Sequence, residues 1–346
     1  MTDPQTSHEY LPALGSEAAN KAAVQLLLGD CAATREGRAF ALQSLGGTGP
    51  IRVGAEFLQQ QIGCRVARYS DPTWINHRDI FIKAGFTDVS PYPYWNNTTR
   101  APHFEALIEC LKSSPPYTVF LLHAQAHNPT GVDPSKEEWA TICRIMKERK
   151  LIPFFDCAYQ GWASGDMEED AWAVRHFEEN GLEMLVSQSF GKNLGLYGDR
   201  IGFLTMVVKD KNKIEAMKSQ LTLILRPMYG NPCRPAARLI EEIILNKEKR
   251  AEWNTQLLSM VDRVKGVRRD LRLMLEELQP SIDWSSITSQ VGMFWYSGLS
   301  PEQGMMLAKE HVYMMPGNGR MSLCGINSGN IRYFAQTVAR VVSHTL

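Results

Sequence analysis

Excess charge of either sign is the first thing this chain lacks: 37 Lys and Arg stand against 37 Asp and Glu among 346 residues. Without a positive surplus there is no global attraction to nucleic acid or an anionic membrane, so a small molecule is the expected partner. Long hydrophobic runs are missing too. The longest, 117–122 and 203–208, are strand-sized, far short of the roughly 18 to 20 apolar residues that cross a bilayer, and a water-soluble chain is expected. The first residues show neither the basic-then-apolar pattern of a secretory signal nor the Arg-rich pattern of a transit peptide, which points to the cytoplasm, with a mitochondrial form not excluded. Seven cysteines are scattered without a C-x-x-C pair, so reduced thiols are expected, with neither a disulfide nor a zinc site. The overlapping sequons at Asn96 and Asn97 are read as a polar turn. Repeats and low-complexity linkers are absent.

What is present is an ordinary globular composition, 44% hydrophobic and 21% charged. Helical spacing appears at 16–29 and 51–61, the second introduced by the glycine-rich stretch 44–50. Short β-like runs follow at 65–69, 89–92, 117–122, 152–155, 184–187 and 201–208, most of them separated by helical segments such as 104–111 and 136–150. This alternation predicts an α/β fold, a mostly parallel central sheet with helices on both faces and a ligand crevice at the carboxyl ends of its strands. A long amphipathic helix over about 252–278, short strands at 292–296 and 312–315 and a last helix at 328–343 suggest a change of unit. The expected division is a large domain, 1–258, and a smaller C-terminal α/β domain, 259–346.

The loops after three successive strand candidates are polar: His123 to Gly131, Asp156 to Gly161 and Ser187 to Asn193. An Asp ending an apolar strand is costly to bury unless a cation or a hydrogen-bond network satisfies it, which singles out Asp156, with Tyr159 in reach of the same pocket. Lys192 follows Ser-Phe-Gly and leads into a turn-rich segment ending at Arg200. A desolvated lysine there is a carbonyl nucleophile, although a lone lysine is ordinarily solvated. Gly46-Gly-Thr-Gly49 by itself matches neither G-x-G-x-x-G nor a P-loop. Together these groups are what pyridoxal phosphate requires: an amine, an acid for the pyridine nitrogen, donors to the phenolic oxygen, and a helix N-terminus with Ser, Thr and Arg for the phosphate.

In order along the chain, Ser-Leu-Gly-Gly-Thr-Gly (44–49), Pro-Thr-Trp-Ile-Asn-His (72–77), His-Asn-Pro-Thr-Gly (127–131), Phe-Phe-Asp-Cys-Ala-Tyr-Gln-Gly (154–161), Ser-Gln-Ser-Phe-Gly-Lys-Asn (187–193), Arg-Pro-Met-Tyr-Gly-Asn-Pro (226–232) and Gly-Met-Phe (292–294) resemble the aspartate aminotransferase family, class I pyridoxal-phosphate-dependent aminotransferases of fold type I. The resemblance runs from about Tyr10 to the end. It implies that Lys192 carries the cofactor and moves a proton, and that Asp156 pairs with the pyridine nitrogen, with His77 and His123 behind it. It also implies that Asn128 and Tyr159 donate to the phenolic oxygen, and that Trp74 and Ala158 sandwich the ring. Gly47, Thr48, Ser189 and Arg200 match the phosphate cup, completed by Tyr10 from the other subunit of a homodimer. Arg320 matches the group for the substrate α-carboxylate and Arg226 the one lent by the neighbouring subunit to the side-chain carboxylate. Trp74 and Asn128 also match positions that touch substrate.

The implied activity is transfer of the amino group between L-aspartate and 2-oxoglutarate by a ping-pong route. Aromatic and broad-specificity aminotransferases of this class keep the same arginine pair, so that alternative stays open. The family pattern normally starts several dozen residues before the segment matching Tyr10, with an arm that wraps the partner and a strand of the small domain. On that ground a non-catalytic cofactor-binding homologue is a third reading. Gly191, Pro50, Gly230 and Cys233 also depart from the family's usual residues.

Overall fold

The structure is a computed structural model and describes residues 7–344. Seven strands build the central sheet: β1 (Ala39–Leu45), β2 (Val66–Asp71), β3 (Asp88–Pro93), β4 (Val119–His123), β5 (Ile152–Cys157), β6 (Met184–Ser189) and β7 (Ile201–Val207). Their spatial order is β1-β7-β6-β5-β4-β2-β3. The five strands from β3 to β6 are parallel, whereas β7 is antiparallel to both β6 and β1. The reversal has a local cause: β7 follows β6 through a turn-rich loop without a helix, and a parallel return needs a crossover.

Alternate residues of the inner strands bury opposite faces. Phe154, Leu185 and Leu204 pack with Ile51, Phe57 and Phe81 on one side, while Phe155, Val186 and Phe203 pack with Leu26, Trp139 and Phe177 on the other. A sheet covered on both faces reads in sequence as continuous apolar runs. The expected mostly parallel α/β sheet is therefore present, with its six expected strands displaced by at most two residues at either end.

Helix α1 (Glu17–Leu28) starts where the Ser16 side chain accepts a hydrogen bond from the Ala19 N–H. Helix α2 (Thr48–Phe57) starts in the glycine loop and widens into a π-helical turn, Leu58–Ile62. Helix α3 (Lys136–Arg149) has a reciprocal cap between Ser135 and Glu138. Helices α4 (Ile214–Tyr229) and α5 (Arg234–Ile244) lead to α6 (Lys247–Leu278), and α7 (Ile331–Ser343) ends the described chain.

Three details differ from the sequence reading. Strand β1 was not expected; its Ala, Leu and Gln residues carry helix propensity as readily, and pairing with β7 decides the matter. The strand expected at 312–315 is a loop, in which the Met315 N–H closes onto the Arg320 carbonyl. The short C-terminal ladder is instead β8 (Phe294–Tyr296) with β9 (Arg320–Ser322). Helix α6 begins five residues before the expected start because the Asn246 side chain caps it, accepting from the Glu248 and Lys249 N–H groups. It runs without interruption past residues 258 and 259.

Candidate active site

The loops beyond the carboxyl ends of β4, β5 and β6 converge on one cavity of about 190 Å³. The end of β5 and its loop supply Asp156, Ala158 and Tyr159, and the end of β6 and its loop supply Ser189, Lys192 and Arg200. Gly47 and Thr48 come from the start of α2, and Trp74 and Asn128 complete the wall. Larger hollows of about 430 and 600 Å³ lie elsewhere, but neither joins a lysine to a buried carboxylate.

Asp156 is buried, and its two oxygens differ. Oδ2 accepts a hydrogen bond from His77 Nε2 at 3.0 Å, while Oδ1 is buried with no partner among the described residues. Burial alone would raise this carboxyl; the His77 hydrogen bond and the surrounding histidine and lysine groups outweigh it, leaving it below the usual carboxylate value. His77 Nδ1 pairs with the Thr73 hydroxyl at 2.8 Å, so its protonated Nε2 faces the carboxylate. Behind it, burial and then His77 push His123 down to about 3, which makes that ring neutral. His123 stacks edge-on against His127 at 4.1 Å, and His127 is fixed by Ser70 and Thr130. His77, His123 and Asp156 bring three ligand-type atoms within 4.8 Å of one another. The hydrogen bond between Oδ2 and Nε2 already occupies the two that face each other.

Lys192 holds its amine 5.2 Å from the centre of the Tyr159 ring. Burial lowers its pKa, Arg200 and Arg320 add to the effect, and Asp156 opposes it. A lysine of this kind is more readily the free amine that attacks a carbonyl. Burial also raises the Tyr159 hydroxyl, keeping it a donor at neutral pH.

The wall opposite depends on glycine. Gly46 has φ +59°, and a Cβ there would lie 2.4 Å from Arg200 Nη2; a Cβ on Gly202 would lie 1.9 Å from the Gly46 carbonyl oxygen. The loop and the start of β7 therefore touch backbone to backbone, with the Gly46 N–H donating to the Arg200 carbonyl at 3.0 Å. This seats the Arg200 guanidinium beside the first turn of α2, whose free N–H groups favour an anion.

Arg320 reaches the site from the C-terminal ladder. Its Nη1 donates to Asn128 Oδ1 at 2.6 Å, and its guanidinium lies 4.1 Å over the Phe294 ring. Arg320 borders the cavity through Asn128 without lining it, and two further candidates lie away from it. Tyr10 is 84% exposed, and Arg226 is exposed in the last turn of α4; the resemblance assigns both to the neighbouring subunit's site. Sequence reasoning missed Tyr197, which lines the cavity, and gave Gly191 no place in it. The only signal for either was proximity to Lys192 in a turn-rich stretch.

Residues 1–338 match the family described as aminotransferase class I and II. The chain belongs to that family. This aminotransferase is 41% identical over 341 residues to the cytoplasmic aspartate aminotransferase of Caenorhabditis elegans, covering 98% of this chain and 84% of the relative. It is 43% identical over 340 residues to the mitochondrial aspartate aminotransferase of Dictyostelium discoideum, covering 98% and 80%. Among solved structures, the aromatic-amino-acid aminotransferase of Burkholderia pseudomallei, covalently bound to pyridoxal phosphate, superposes with a TM-score of 0.94 at 36% identity, covering 97% of this chain and 84% of that one.

Proposed function

We propose that this aminotransferase moves the amino group of L-aspartate to 2-oxoglutarate, giving oxaloacetate and L-glutamate, with pyridoxal phosphate as cofactor. One observation carries the reading: a buried carboxylate with an unpartnered oxygen lines the same cavity as a lysine of lowered pKa. An orphaned buried acceptor costs free energy unless a ligand donor meets it, and a protonated pyridine nitrogen is such a donor. The Ser, Thr, Gly and Arg wall suits a phosphate in the same way.

When bound there, pyridoxal phosphate would supply a carbonyl to carry the amino group and a ring to draw off the electrons of the substrate Cα–H bond. Lys192 Nζ would hold the cofactor at its aldehyde and, as the free amine once substrate is bound, would move the proton of the substrate Cα. Asp156 Oδ1 holds a proton on the ring nitrogen. Asn128 and Tyr159 orient the ring through its phenolic oxygen, and Trp74 and Ala158 flank it. Gly47, Thr48, Ser189 and Arg200 bind the phosphate, joined by Tyr10 of the partner subunit in a homodimer. Arg320, positioned by Asn128, binds the α-carboxylate as a bidentate fork, and Arg226 of the partner subunit binds the second carboxylate. In this reading the large unit, 1–258, holds the cofactor and the smaller one, 259–346, brings Arg320.

The test is spectroscopic and then catalytic. The purified protein saturated with pyridoxal phosphate is expected to show the visible band of the lysine-bound cofactor, absent in Lys192→Ala, and to lose it on addition of aspartate. A band that ignores aspartate, with no amino transfer in a coupled assay, overturns the activity. The resemblance to a solved aromatic aminotransferase favours one second reading. The ratio of kcat/KM for aspartate and phenylalanine separates the two, and Arg226→Leu is expected to lower only the aspartate value.

A further inference from the structure

A second hollow, of about 220 Å³, lies between α6 and the segment 288–292 and shares no lining residue with the cavity of Lys192. Lys265, Arg268 and Arg269 reach it from one face of α6, at positions i, i+3 and i+4. Thr288 and Gln290 face them, Trp162 closes one end, and no lining residue is acidic.

Both Arg268 and Lys265 donate to backbone carbonyls, and Arg268 is buried. Arg268 is 4% exposed, and its guanidinium donates to the carbonyls of Ile287 at 2.6 Å, Gly292 at 3.0 Å and Phe294 at 2.6 Å. Lys265 Nζ donates to the Ser164 carbonyl at 2.7 Å. Asp170, the carboxylate beyond Ala163, is turned to other donors: the N–H groups of Ala163 and Ser164 and the Ser164 hydroxyl. Burial accordingly pushes Arg268 down to about 10. Carbonyl groups satisfy hydrogen bonds without cancelling charge, and a buried cation left uncompensated is expensive.

The second observation is independent of charge. Trp162 is 6% exposed, and its indole Nε1–H is buried with no acceptor among the described residues. Buried donors in native proteins are almost always paired, so an orphan beside a cationic hollow marks a place for an acceptor other than the described residues. A carboxylate would need one cation; three converging cations and a further N–H suit a dianion with several acceptor oxygens. We propose that this hollow is an anion-binding site for a phosphate group, free or as a small phosphomonoester, held by Lys265, Arg268 and Arg269 with the Trp162 indole N–H as an additional donor.

The site is tested on Trp162 itself, so its failure is distinct from any failure of the aminotransferase reading. In ¹⁵N-labelled, cofactor-saturated protein, the indole N–H resonance missing from Trp162→Phe identifies the reporter. Inorganic phosphate is expected to shift that resonance saturably, and glycerol 3-phosphate is the second arm; binding of either supports the site, and the tighter one names its source. Lys265→Gln and Arg269→Gln each remove one charged donor near the surface of α6 and are each expected to weaken binding about tenfold. A Trp162 resonance that neither anion moves, or a shift whose midpoint is the same in both variants, overturns the proposal.

Discussion

Gly46→Ala separates two effects that the structure superimposes. The residue sits at φ +59°, and an alanine held in the left-handed region costs about 1–2 kcal/mol in stability. Its Cβ would also stand 2.4 Å from Arg200 Nη2 and 2.7 Å from Cζ. Something must move, and the cheapest group to move is the end of the flexible arginine. In the proposed site Arg200 would then be lost as a charge-assisted donor to the cofactor phosphate, worth about 1.5–3 kcal/mol, or about 10- to 100-fold in cofactor affinity. The backbone cost should appear in the cofactor-free protein as a thermal midpoint lower by about 1–3 °C. The affinity cost should appear in absorbance titrations with pyridoxal phosphate. The decisive measurement is the double-mutant cycle with Arg200→Ala, in which Gly46→Ala should no longer change affinity, because the group it displaces is gone. Equal losses of affinity in both backgrounds, or no loss in the parent, would refute the steric argument.

Other expectations follow from the same cavity. His123 has a folded pKa depressed to about 3. Its contribution to stability is therefore present above its ordinary value of about 6.5 and is lost as pH falls through that window, at about 1.4 kcal/mol per pH unit; His123→Leu should flatten the pH dependence of the thermal midpoint by that amount, and an unchanged slope would count against a neutral buried ring. Asp156→Asn keeps the shape of the side chain but removes the negative charge, so the half-reaction with aspartate should slow by roughly 10²–10³ in stopped-flow absorbance; a loss under tenfold would remove the carboxylate from its assigned role. Arg320→Lys leaves one charge but breaks both the fork and the 2.6 Å contact to Asn128, and kcat/KM for aspartate should fall by about 10- to 100-fold with little change in cofactor affinity.

What the sequence made legible is what a single element records about itself. Strands β4 to β6 could be read because both faces are buried, so Val119–His123 and Met184–Ser189 are apolar or small almost throughout. Asp156 stood out as a charge at the end of such a run. Strand β1 could not be read, because only its partner β7 makes Ala39–Leu45 extended, and 312–315 misled because its apolar spacing has no strand to pair with. The pairing of Arg320 with Asn128 spans 192 positions and no local pattern encodes it; the family resemblance alone placed both in one site.

The missed groups share a physical reason. Gly191 and Tyr197 belong to the cavity because the chain between β6 and β7 turns back without a helix, which folds the segment after Lys192 over the carboxyl ends of the strands. Their membership is a property of that reversal and not of their own chemistry. The hollow at Arg268 is a sharper case: a cation without a carboxylate and an indole N–H without an acceptor are both defined by what surrounds them in the fold. Sequence therefore identifies best the groups whose chemistry conflicts with their own strand or helix, as a carboxylate ending an apolar strand does. Groups that conflict only with their tertiary neighbours become visible when every buried donor, acceptor and charge is matched with its partner.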